Sequence, residues 1–212
     1  MVLLRAAAAS LVLVLACSRT AVVNALNFGV IGTGCIGLEH IRNINLLPDS
    51  RVTAVADTST TSLGWARDTL AELGDLDGVV FHDSYLPLLE PDAGLDALVI
   101  ATPNFHHIEV LRDVAARAPE MNLLVEKPLC TTLADLAEAR QLARGALRGL
   151  FWVGMEYRYI PSIGRLIREA DAGTIGNLRM LAIREHRFPF LVKVRAGGAC
   201  AGLSRERTPR SP

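Results

Sequence analysis

The stretch NFGVIGTGCIGLEHIRNINLLPDSRVTAVAD, residues 27–57, decides how this chain folds. A short apolar run, Asn27 to Ile31, leads at once into Gly32-Thr33-Gly34-Cys35-Ile36-Gly37. From Ile36 to Leu47 apolar residues recur at helical spacing, which predicts a helix with Ile36, His40, Ile41, Ile44 and Leu47 near one face. Arg51 to Ala56 is β-branched and apolar, reads as a strand, and ends in Asp57. A glycine-rich turn alone is common. Set between a strand and a helix, with an acidic residue about 20 positions further on, it becomes a dinucleotide-binding βαβ unit. Asp57 lies 57 − 37 = 20 residues past the last glycine.

Each residue of the unit has a physical task. Gly32 allows the tight turn, Gly34 lets the backbone approach a pyrophosphate, and Gly37 permits close helix–strand packing. Cys35 and Ile36 open the helix, whose first amides offer free donors and a partial positive charge. Asp57 is placed to accept from the adenosine ribose hydroxyls and to repel a 2′-phosphate. No Arg follows it in DTSTTS, so the pattern favours NAD over NADP.

Outward from this unit, strand-like and helix-like segments keep alternating. Helical spacing covers 61–73, 107–118 and 132–146, with a short helix near 85–89. Thr132 and Asp135 are spaced as a capping box. Residues 79–81, 97–101 and 122–125 read as strands, and 150–157 could supply a sixth. The expected fold is therefore α/β, a Rossmann-type doubly wound parallel sheet covered on both faces.

Two further clusters fall where such sheets bind ligands, beyond the carboxyl ends of strands. One is Thr102-Pro103-Asn104-Phe105-His106-His107, after the strand at 97–101. Thr-Pro-Asn is also a good turn and helix start in its own right, and a lone histidine such as His107 often only caps or decorates a surface. The other is Glu126-Lys127-Pro128, ending the strand at 122–125. A Lys before Pro is usually a loop residue; its place at a strand's end is what singles it out. An X–Pro bond at a tight functional turn is a candidate for cis geometry.

Composition narrows the rest. Half of the residues are hydrophobic, ample for a buried core, and 22 Lys+Arg balance 22 Asp+Glu. That neutrality excludes a nucleic-acid or anionic-lipid binder driven by charge. Cys17, Cys35, Cys130 and Cys200 form no CxxC pair, so neither a metal site nor a disulfide framework is indicated, and a reducing compartment is the simplest reading. The ends differ from the middle. Residues 1–25 combine Arg5, an apolar run too short to span a bilayer, and small residues at 23–25. A secretory signal, an organelle transit peptide and a start upstream of the true one all fit; the last would leave the protein cytoplasmic. Residues 195–212 lose all apolar periodicity and are expected to be disordered, either an abrupt break in the coding sequence or an Arg-rich tail.

Taken in order, GVIGTGCIG, ALVIATPNFHH, LLVEKPL and YRYIPSIGRLIREADAGTIGNL resemble the glucose–fructose oxidoreductase, inositol dehydrogenase and rhizopine-catabolism (Gfo/Idh/MocA) superfamily. The resemblance covers residues 27 to about 194. It implies a dehydrogenase with a Rossmann domain at 26–150 and the beginning of a substrate and oligomerisation domain at 151–194. It sets Thr102, Pro103 and Asn104 against the cofactor, with His107 nearby and Glu126 at the nicotinamide. Lys127 becomes the catalytic residue that contacts the reacting hydroxyl of a small substrate, a sugar or polyol. Tyr157, Arg158 and Pro161 match the entry to the second domain. Arg184 to Arg187 would begin its sheet, where Arg158 and His186 are substrate candidates, although a solvated strand edge fits those four as well. Full-length relatives form homo-oligomers and add a later Asp and His, the latter a general acid/base. Nothing after Val194 resembles that segment. The chain as written is thus expected to bind cofactor with an incomplete substrate wall, the alternative being a non-catalytic dinucleotide-binding module, a sensor or partner subunit.

Overall fold

The computed structural model describes residues 25–184. Its elements run β1 (Leu26–Ile31), α1 (Cys35–Asn45), β2 (Ser50–Ala56), α2 (Thr60–Leu73), β3 (Val80–His82), β4 (Ala97–Ile100), α3 (His107–Arg117), β5 (Asn122–Val125), α4 (Leu133–Gln141), β6 (Phe151–Val153) and α5 (Pro161–Asp171). The six strands form one sheet in the order β3-β2-β1-β4-β5-β6, with every neighbouring pair parallel. This is the doubly wound order, and the direction of winding reverses between β1 and β4.

Strand alternation splits the core. Along β1, Val30 faces one side with Leu38, Ile41, Ile44, Val52, Val55 and Leu70, while Ile31 faces the other with Leu98, Ile100, Leu111, Val114 and Val125. Successive side chains on a strand point to opposite faces, so a strand covered on both must be apolar throughout, as Gly29-Val30-Ile31 and Leu98-Val99-Ile100 are.

Some expectations shift. On α1 the buried stripe is Gly37, Leu38, Ile41 and Ile44, whereas Ile36 and Leu47 are exposed. The stripe is offset because Gly37, lacking a side chain, is the residue that seats the helix on β1. The helix expected over 132–146 ends at Gln141 and continues as one π turn, Leu142–Ala146, closed by Leu147 N–H donating to the Leu142 carbonyl at 2.8 Å. That wider turn delivers Leu147 to the core. The sixth strand anticipated within 150–157 is Phe151–Val153, which hydrogen-bonds to β5 at the sheet's edge, and the first compact unit ends at Gly154. Thr132 Oγ1 accepts from Asp135 N–H at 3.1 Å and caps α4. Thr132→Ala is expected to destabilise the domain by about 1 kcal/mol, read as a lower urea midpoint at unchanged slope.

The second compact unit begins at Met155. In it a 3-10 turn, Glu156–Tyr159, precedes α5, which opens with Pro161 in the first helical turn, where a missing N–H costs nothing. Arg184 lies in irregular chain. Residues 185–187 of the anticipated strand, His186 among them, residues 1–24 of the leader at 1–25, and the tail at 195–212 fall outside the described residues. No described helix is long and apolar enough to cross a membrane.

Candidate functional site

At the winding reversal, the ends of β1, β2 and β4 open onto a cavity of about 520 Å³, within the usual size of small-molecule sites. Gly32 makes its first wall. Its N–H donates to the Ala56 carbonyl at 2.8 Å and its φ is +89°, a left-handed value that favours glycine. A Cβ there would lie 2.7 Å from the Ala101 carbonyl and the Thr102 nitrogen, so β1 and β4 close on each other only because the side chain is absent.

Gly34 is the N-cap of α1 and offers no capping side chain. The first-turn amides of a helix have no intrahelical acceptor. Gly34, Cys35 and Ile36 line the cavity, so these donors meet it at the positive end of the helix. A Cβ on Gly34 would meet nothing within 4 Å; the space beside it is open.

Asp57 closes the opposite wall and is already held in place. Its Oδ2 accepts from Thr33 N–H at 2.7 Å and Thr33 Oγ1 at 3.1 Å, and its Oδ1 accepts from Ser59 N–H at 2.8 Å. A carboxylate has about four lone-pair sites, so Asp57, which lines the cavity, retains capacity to accept a further hydrogen bond. Thr33, fully buried, thus ties the glycine turn to the end of β2. Thr33 occupies a variable position between the glycines of the motif, so its residue type alone carries no signal for this latch.

The β4 side brings Thr102 and Pro103 to the cavity but not Asn104, which starts a 3-10 turn through His106. Between the two histidines, His106 lines the cavity, with Nδ1 3.0 Å from Glu109 Oε2. His107 is buried: Nε2 lies 3.0 Å from the Thr102 carbonyl and Nδ1 3.3 Å from that of Leu129. It braces the two loops from beneath. Asp83 and Tyr85 also line the cavity, and neither was singled out from the sequence. The Tyr85 hydroxyl donates to Asp113 Oδ2 at 2.6 Å, and burial together with that carboxylate pushes the phenol above its ordinary range.

Glu126 and Lys127 end β5, next to β4, and do not line this cavity. The Lys127–Pro128 bond is cis. Arg158 is exposed on the 3-10 turn of the second unit. Among the described residues, no group of three or more His, Cys, Asp or Glu side chains is arranged to hold a metal ion.

Two observations fit an elongated anionic nucleotide here. Gly34 leaves open space in front of the first turn of α1, a cradle that any side chain would fill. Thr102 Oγ1 is buried and makes no hydrogen bond among the described residues, so a polar donor at the cavity wall awaits an acceptor.

Comparison with known proteins agrees with this geometry. The model of an oxidoreductase family with an NAD-binding Rossmann fold (GFO_IDH_MocA) matches residues 26–154. Inositol 2-dehydrogenase 1 of Saccharopolyspora erythraea is 39% identical over 152 residues, which cover 70% of this chain and 42% of that protein. Inositol 2-dehydrogenase of Acidiphilium cryptum is 36% identical over 166 residues, covering 77% and 46%. Among solved structures, myo-inositol dehydrogenase from Lactobacillus casei in complex with NAD(H) and myo-inositol superposes with a TM-score of 0.62 at 25% identity, over 72% of this chain and 43% of that one. The chain therefore spans less than half the length of these relatives.

Proposed function

This chain belongs to the GFO_IDH_MocA oxidoreductase family, and from that premise we propose that it binds NAD in the cavity at the winding reversal and serves hydride transfer to or from a polyol of the inositol type. The observation that supports the cofactor reading most is the joint wall of Gly34, the α1 amides and Asp57. A diphosphate fits the first two, and a ribose diol fits the third. The nicotinamide, when bound, supplies the hydride chemistry. The chain's residues supply the rest. Gly34 and the first turn of α1 receive the diphosphate, Asp57 accepts from the ribose, and Thr102 Oγ1 offers its hydroxyl. Lys127, exposed at the end of β5, brings a positive charge that stabilises a developing alkoxide on the substrate.

NAD is preferred to NADP on this reading because a 2′-phosphate would meet the Asp57 carboxylate. Asp57→Asn is expected to weaken NAD binding about 10-fold, equivalent to about 1.4 kcal/mol, and to narrow the gap to NADP. Calorimetric titration with both cofactors checks it, and an unchanged preference sinks the assignment of Asp57. The function itself is tested by mixing the chain with NAD and myo-inositol and following NADH formation. NADH formation supports the dehydrogenase; NAD binding without turnover of any polyol leaves a dinucleotide-binding module.

A further inference from the structure

His40 stands on α1, one and a half turns beyond the amides that open the cavity, and its Nε2 lies 2.8 Å from Glu126 Oε1. The partners are 86 residues apart in sequence, and their side chains are only 20% and 14% exposed. The rest of Glu126 is equally constrained. Its Oε2 accepts from Lys127 N–H at 3.2 Å, and its own N–H donates to the Ile100 carbonyl at 2.9 Å. Gly154, at the end of β6, presses from another side, since a Cβ there would come within 3.1 Å of Glu126 Oε1. Hydrogen bonds to an ionised acceptor are stronger than neutral ones, and the pair is largely shielded from water. The pair lies outside the lining of the cavity at the winding reversal.

We propose that His40 is a positioning residue: through Glu126 it holds the Lys127 turn in register with α1. This rests on the reading of the α1 N-terminus as the diphosphate site. Five residues of helix are a rigid rod of about 7.5 Å, so the diphosphate amides and His40 move together. One short side-chain bridge then fixes the lysine turn relative to the bound nucleotide. Hydride-transfer sites need placement to within about 0.5 Å, which a surface turn alone does not supply.

The test exploits a feature of the composition: the chain has two lysines, Lys127 and Lys193. Reductive methylation with carbon-13 formaldehyde labels both while keeping their charge, and Lys127→Arg identifies the Lys127 resonance. In the wild-type chain that resonance shifts on saturation with NADH. In His40→Ala, and in His40→Phe, which keeps the space filled, NADH affinity stays within about 3-fold because its determinants lie elsewhere, yet the Lys127 shift falls by about half or more. His40→Gln, whose amide can donate to Glu126, restores it. Adding Glu126→Gln to His40→Ala changes the shift no further. An unaltered Lys127 shift in His40→Ala or His40→Phe, or no recovery in His40→Gln, overturns the proposal. A wild-type chain that fails to bind NADH overturns instead the cofactor reading on which it rests.

Discussion

Gly34→Asp is expected to weaken NAD binding about 1000-fold while leaving the thermal midpoint at or above that of the parent chain. Gly34 has φ −70° and ψ −168°, extended backbone that any residue adopts, and a Cβ there meets nothing within 4 Å. It is also an N-cap, where Asp is among the preferred residues and a negative charge complements the helix dipole. The fold therefore gains a cap. The cofactor loses its seat, because the new carboxylate takes the amides meant for the diphosphate and repels it. Two unit charges 4 Å apart interact by about 4 kcal/mol at an effective dielectric constant near 20, which corresponds to the factor given. Calorimetric titration with NAD and a thermal melt read the two effects separately. Unchanged affinity would mean that α1 does not hold the diphosphate.

Gly37→Val, three residues along the same motif, is expected to do the reverse and remove the fold. A Cβ at Gly37 would overlap the Gly32 carbonyl oxygen and lie 2.9 Å from the Gly32 carbonyl carbon. These are backbone atoms of the turn that joins β1 to α1, so no rotamer change relieves the contact. Either α1 lifts from β1, uncovering Leu38, Ile41 and Ile44, or the Gly32 turn breaks. Overpacking a core typically costs 1–3 kcal/mol, and about 4 kcal/mol or more is expected where backbone must move. A single domain has about 5–15 kcal/mol in total. Urea unfolding followed by circular dichroism should show a midpoint near zero denaturant, and a stable Gly37→Val chain would refute the close-packing role. One motif thus holds two glycines needed for opposite reasons, one for the ligand and one for the chain.

The sequence by itself determined the βαβ unit, the run of alternating strands and helices, the glycine turn and the partnership with Asp57. These rest on local rules, namely a period of two or 3.6, turn chemistry and spacing along a single chain. It also marked Thr102 and Pro103, which reach the cavity. Only the tertiary structure decided the strand order, the Thr33 latch on Asp57, the exchange of roles between His106 and His107, and the pairing of His40 with Glu126. Each of these depends on which segments pack together. The helical period gives spacing without phase, so it could not distinguish a stripe through Ile36 and Leu47 from the observed one through Gly37 and Leu38. Adjacent histidines are likewise equivalent until a helix is docked: α3 turns His107 into the core and leaves His106 on the cavity. Bonds such as His40 to Glu126 span 86 residues, and their partners become neighbours only once the sheet has brought α1 and the end of β5 together.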